Sequence, residues 1–215
     1  TLGMYDDSRF IFREYLQNSA DQIDRAIEQG LLNSRRQGNI FVTITPIEKK
    51  IIIEDNATGI QSSKVFQILG NIALSEKDRD KEKGFRGIGR LGGLAYCETL
   101  TFESSYFGEN LKSIMKWDAL ELRKIINDRH LKIEAVQVIE RITSFSTSEE
   151  DEDKHYFKVI LENVNNSDLL DIQKVRDYLS MVAPLPFDNR FIFKQKIKDT
   201  FFSDYKFEID EYNIF

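Results

Sequence analysis

The feature that most constrains this chain is one amphipathic stretch near its start. From Ser8 to about Leu31, the residues Phe12, Leu16, Ile23, Ile27 and Leu31 fall within about 100° of arc when successive residues are spaced as in a helix. A helix with a single apolar stripe must lay that stripe on a second layer. Gly30 and the polar run NSRRQGN (33–39) end the pattern, and two β-branched runs follow, IFVTIT (40–45) and KIIIED (50–55). The segment PIEK between them gives the pair a hairpin signature.

The same grammar continues along the chain. Ser62 or Ser63 is placed to cap a second helix running into KVFQILG, and LGGLAYC reads as helical. ETLTFESSYF and LKSIMKW alternate around FGEN as a second hairpin would. VQVIERITSF and HYFKVILENV suggest a third strand pair across the acidic STSEEDEDK. SDLLDIQKVRDYLSMV reads as one helix capped by Ser167 and ended by Pro184 and Pro186. This order predicts an α+β fold with two layers, a mostly antiparallel sheet carrying helices on one face. The principal domain is expected over residues 1–187, with the aromatic-rich 188–215 as a C-terminal arm or the start of a following domain.

Composition excludes several function classes. Hydrophobic residues make up 41% and charged residues 31%, as in a soluble globular domain, and no apolar run is long enough for a bilayer, so no membrane partner is expected. The lone Cys97 cannot form an internal disulfide, which fits a reducing, cytoplasmic compartment. A net charge of −6 gives no indication of nucleic-acid binding by bulk electrostatics. The opening TLGMYDDSRF does not begin with Met and lacks the pattern of a signal peptide, so the chain reads as a fragment.

Three groups of residues carry candidate chemistry. On the first helix Glu14, Asn18 and Asp21 lie within about 60° of one another, away from the apolar stripe. Alone, such a trio is more often a solvated face. In IIIEDNATGI, Asp55 ends a buried strand and a short turn closes on Gly59. Asp55 can accept a hydrogen bond from the amino group of a bound base, and Gly59 lets the backbone approach a flat ring. A plain Asp-Asn turn is the alternative. Finally, EKDRDKEK (76–83) carries only charges and leads, as a surface loop, into GFRGIGRLGG, whose glycines permit backbone amides to turn toward phosphate oxygens. Residues 87–92, GIGRLG, match the dinucleotide fingerprint by letter but follow a charged loop rather than a strand. The P-loop pattern fails at Arg90 and Leu91, and the HRD and DFG segments of a protein kinase are absent.

In order and spacing, EYLQNSAD (14–21), DNATG (55–59) and GFRGIG (84–89) resemble the three boxes of the GHKL ATPases, the superfamily of gyrase, heat-shock chaperones, histidine kinases and MutL. ILGNIALSEK (68–77) resembles the start of the ATP lid in the ninety-kilodalton chaperone branch. The resemblance runs from about Tyr5 to Trp117, and more loosely to Pro186. It implies a Bergerat-type sandwich that binds ATP with Mg²⁺ and hydrolyses it slowly. It also implies lid closure coupled to association of a homodimer and to downstream domains, with client proteins as partners. By the same resemblance Glu14 is the general base for the attacking water and Asn18 binds Mg²⁺. Asp21 is a supporting residue, Asp55 recognises the adenine amino group, and Gly59 with Ile60 lines the base pocket. Gly84, Gly87 and Gly89 present amides to the phosphates. Lys77, Lys83 and Arg90 are cations near the lid that the resemblance does not single out.

The sequence departs from that pattern in two places. Ala57 replaces the first glycine of the second box, adding a methyl near the base. Tyr156 and Phe157 stand where the chaperones show Gly-Thr, removing a hydroxyl that helps hold a water on the adenine. Two alternatives therefore accompany the ATPase reading, a nucleotide-dependent interaction switch without hydrolysis and the ATPase module of a DNA-acting relative. His130 and His155 lie in no phosphoacceptor helix and are expected to be surface or packing residues.

Overall fold

The β-branched runs form the middle of a seven-stranded sheet. A computed structural model describes residues 7–70, 89–128, 130–131 and 133–215. Strands β1 (Asn39–Thr45) and β2 (Lys50–Asp55) make the expected hairpin, and β3 (Thr99–Ser105) and β4 (Leu111–Asp118) make the second. With β5 (Thr143–Glu149), β6 (Tyr156–Glu162) and β7 (Asn213–Ile214), the sheet order is β5-β4-β3-β6-β2-β1-β7. All pairings are antiparallel except β1 with β7. The α+β expectation holds.

Register explains why one face carries the helices. Ile53, Val159, Phe102 and Met115 lie in one row across β2, β6, β3 and β4, and Ile51, Leu161, Leu100 and Trp117 form the next, all buried. On the opposite face the neighbours are Glu54, Lys158 and Glu103, with a 3.1 Å ion pair from Lys158 to Glu54. Helix α1 (Phe10–Glu28) lays Phe12, Leu16, Ala20 and Ile23 on the apolar rows, and α2 (Ser62–Val65) packs over β4. The stripe is wider than expected, since Tyr15 and Ser19 are also buried, and the helix stops at Glu28, short of Leu31.

Several local expectations are corrected. VQVIERI is helical, not extended: after α3 (Ala119–Asn127), α4 (Ala135–Ile142) starts with a capping box between Glu134 and Gln137. The third pair, β5 with β6, does not form. Strand β6, with Val159, Ile160 and Leu161 buried, sits between β3 and β2, whereas the Ser/Thr-rich, largely exposed β5 is left on the edge beside β4. The single helix from Ser167 is two, α5 (Ser167–Leu170) and α6 (Ile172–Val182). Asn166 caps the first, and the Asp171 carboxylate accepts from the Lys174 amide at 3.1 Å to start the second, breaking the backbone ladder between them. Neither Ser62 nor Ser63 is a cap. Ser62 is already helical and its amide donates to Glu109, while the chain winds more widely over residues 66–70. LGGLAYC is not an α-helix: its first five residues belong to a 3-10 turn, Gly89–Ala95, that ends before Tyr96.

The C-terminal segment is held at its end rather than along its length. Helix α7 (Lys194–Tyr205) has no buried residue. Beyond it Tyr212 is buried and donates to Asp24 at 2.8 Å, and Arg35 bridges Asp24 and Asp210, each at 2.7 Å. Among the described residues no helix is long and apolar enough to cross a membrane.

Because Leu161 is wholly buried where the second apolar row crosses β6, Leu161→Ala should cost about 2–5 kcal/mol in chemical denaturation. Lys158→Ala, on the solvated face, should cost no more than about 1 kcal/mol.

Candidate functional site

Where the apolar rows end, the helix-facing surface turns polar: Asp55, Phe157, Ser104 and Ser113 lie side by side on β2, β6, β3 and β4. Asp55 is 1% exposed. Its Oδ2 accepts from the Ser19 hydroxyl of α1 at 2.7 Å, and its Oδ1 from the Ala57 amide at 3.1 Å. Burial pushes the Asp55 carboxyl up to about 7, against the opposing effect of the Ser19 hydroxyl and the Ala57 amide.

The turn after Asp55 is fastened on every side. The Asn56 side chain donates to the Gln37 carbonyl and accepts from the Asn39 amide, tying the turn to β1. Thr58 donates to Gln22 of α1 at 3.0 Å, and His155 Nδ1 lies 2.8 Å from the Ala57 carbonyl. The Ile60 amide donates to Ser104 Oγ at 2.7 Å. Gly59 has φ +64°, and a Cβ there would overlap the Ser105 carbonyl. The glycine is thus required by contact with β3 before any ligand is considered. Ala57 has no such need: its φ is not positive and its methyl is fully buried in the core. The extra methyl therefore points into packing already present.

One end of α1 meets the glycine-rich segment. Gly89 packs so closely on Glu14 that a Cβ would overlap its carboxylate. Tyr15, buried beside Glu14, donates from its hydroxyl to the Arg90 carbonyl at 2.9 Å and accepts from the Gly93 amide at 3.1 Å. Glu14 and Asn18 are half-buried, and neither side chain has a hydrogen-bond or ion-pair partner among the described residues. Asp21 is turned away, exposed and accepting from Gln17 at 2.9 Å. Gly84, Gly87, Lys77 and Lys83 lie outside the described residues.

Helix α1 therefore touches Asp55 and the turn after it through Ser19 and Gln22, and the glycine-rich turn through Glu14 and Tyr15. The family model for histidine kinase-, DNA gyrase B- and HSP90-like ATPases matches residues 12–155, from this helix to the histidine that braces the turn. The chain belongs to that ATPase family. A comparison with curated proteins returns no match. The family is one of ATP-binding domains, so the polar end of the sheet and the exposed side of α1 are where this domain's nucleotide chemistry is to be sought.

Sequence reading missed Ser19, Gln22 and Tyr15. Ser19 carried a usable signal, a polar residue of modest helix propensity inside the apolar stripe, whereas Gln22 and Tyr15 gain their partners only through chain reversal. On the helix-facing side Phe157 stands beside Asp55 and stacks on Phe102, with centroids 5.8 Å apart, while Tyr156 faces away and donates to Glu150.

The raised Asp55 carboxyl has a stability consequence. The folded state holds its proton from the ordinary 3.8 up to about 7, so this residue's contribution is present in acid and is lost as pH rises through that window. Asp55→Asn keeps acceptor and donor atoms for Ala57 and Ser19. It should stabilise the protein at pH 8 by on the order of 1–3 kcal/mol, a gain that shrinks toward pH 4 in thermal melts.

Proposed function

We propose that this domain binds Mg²⁺-ATP along α1 and hydrolyses it slowly, with Glu14 as general base. The observation that carries the reading is the pairing of the two contacts on one helix. Glu14 against Gly89 and Ser19 against Asp55 are five residues apart, about 7.5 Å along the axis. A nucleotide laid along the helix has its base at Asp55 and its phosphates toward Glu14.

In this reading the Asp55 carboxylate accepts from the adenine amino group, with the Ser19 hydroxyl and the Ala57 amide holding its orientation. The Thr58–Gly59–Ile60 segment forms the wall of the base pocket, and Gly84, Gly87 and Gly89 offer amides to phosphate oxygens. Glu14, without a competing partner among the described residues, orients the attacking water and takes its proton. Mg²⁺ neutralises charge on the phosphates when bound. The Asn18 amide oxygen suits such a hard cation, and no cluster of three or more His, Cys, Asp or Glu able to hold a metal is found among the described residues. Phosphates and water would then supply the remaining ligands. Asp21 has at most an outer supporting role, because its carboxylate is exposed and bonded to Gln17.

The resemblance of ILGNIALSEK to the chaperone lid supports nucleotide-driven lid closure, with homodimer association coupled to domains that act on client proteins. Residues 188–215 are read as an arm of the 1–187 domain, supported by β7 beside β1 and by the Arg35–Asp24–Tyr212 cluster. A second reading, a nucleotide switch with little turnover, is favoured by Phe157, which puts a phenyl ring rather than a hydroxyl beside Asp55.

Glu14→Gln should keep ATP affinity in calorimetry and lose at least about 100-fold in phosphate release. ATP affinity of the wild-type protein should fall as pH drops below about 7, because the ionised Asp55 accepts from the amino group more strongly than the protonated carboxyl does. Undiminished turnover by Glu14→Gln would exclude the assigned base, and undetectable ATP binding by wild-type protein would exclude the reading as a whole.

A further inference from the structure

We infer that Tyr15 is the positioning residue for Glu14, acting through two hydrogen bonds that fix the Gly89–Gly93 backbone against the carboxylate. The inference rests on the assignment of Glu14 as general base.

Tyr15 follows Glu14 directly, but its ring turns inward. It is 2% exposed, and burial holds its hydroxyl protonated well above the ordinary range, so the group remains a donor at all working pH values. That hydroxyl is used twice, donating to the Arg90 carbonyl and accepting from the Gly93 amide. Both partners lie on the single turn whose first residue, Gly89, rests on the Glu14 carboxylate. Main-chain atoms of residues 90 and 93 are thereby pinned to α1, and residue 89 has little freedom to leave. A carboxylate walled in by fixed backbone samples fewer rotamers than one facing water, and a general base misplaced by about 1 Å can lose on the order of 100-fold in rate. The far end of the turn has its own tether: Arg123 of α3 donates to the carbonyls of Leu94 at 3.0 Å and Cys97 at 2.9 Å. Arg123 holds the same segment but does not bear on Glu14, which separates general anchoring from positioning.

The test is Tyr15→Phe, which keeps the ring in the core and removes both hydrogen bonds. The readouts are kcat and KM for ATP, ATP affinity by calorimetry, and the melting temperature. Tyr15→Phe should lower kcat between about 10- and 100-fold with KM and affinity within about twofold. Added to Glu14→Gln it should cause no further loss of turnover, since the positioned group is already gone. Gly89→Ala reaches the same contact from the solvent side, displacing the carboxylate, and should reproduce the kcat loss without unfolding the core. Arg123→Gln should lower the melting temperature and leave kcat within about twofold. Wild-type kcat in Tyr15→Phe, or an equal further loss in the Glu14→Gln background, overturns the positioning role while leaving the base assignment standing. Turnover that survives Glu14→Gln overturns the base assignment, and the Tyr15 inference with it.

Discussion

The hydrogen bond from Ser19 to Asp55 joins the two layers through polar groups that both turn to the interior. Elsewhere α1 meets the sheet through aliphatic and aromatic side chains, which fix a separation but no unique register. The 2.7 Å contact between a helical hydroxyl and a carboxylate at the end of β2 does fix one. Everything proposed for the nucleotide follows from that register, because it sets which side of α1 lies toward the Asp55 turn and which residue, five positions earlier, lies beneath the glycine-rich segment.

A buried carboxylate is a costly way to obtain register, and its environment moderates the cost only in part. Ser19 and Ala57 donate to it, yet burial still dominates and the group is poised near neutrality rather than in the ordinary carboxylate range. A residue chosen for folding alone would not stand there. The surrounding turn is correspondingly overdetermined, with Asn56, Thr58, His155 and Ser104 each holding a different side of it. That rigidity suits a surface that must offer one acceptor in a fixed direction.

The glycine-rich turn is organised differently. It has a small share of the core, and its placement depends on Tyr15 at one end and Arg123 at the other, both bonding to backbone atoms. Side-chain identities within the turn therefore matter less than the absence of a side chain at residue 89, where Glu14 makes its contact.

The elements legible in the sequence were those whose signal is local. The α1 stripe, the two hairpins, the fold class and the three boxes could be read because helical and strand periodicities depend on neighbours a few residues apart, and the box spacing is a property of the chain itself. What misled was also local. VQVIERI has enough β-branched residues to suggest a strand, but its apolar positions serve a helix packed beside α3, and the Asp171 break in the α5–α6 helix pair is a competition between side chain and backbone that periodicity does not register. Only the tertiary structure decided that β6 lies between β3 and β2, that Gly59 answers to the Ser105 carbonyl, that Ala57 is core, and that Asp21 faces solvent while Ser19 and Tyr15 face inward. Those outcomes depend on contacts between residues many tens of positions apart. Sequence by itself determined which groups were available for nucleotide chemistry, and the packing of α1 on the sheet determined which of them share one site.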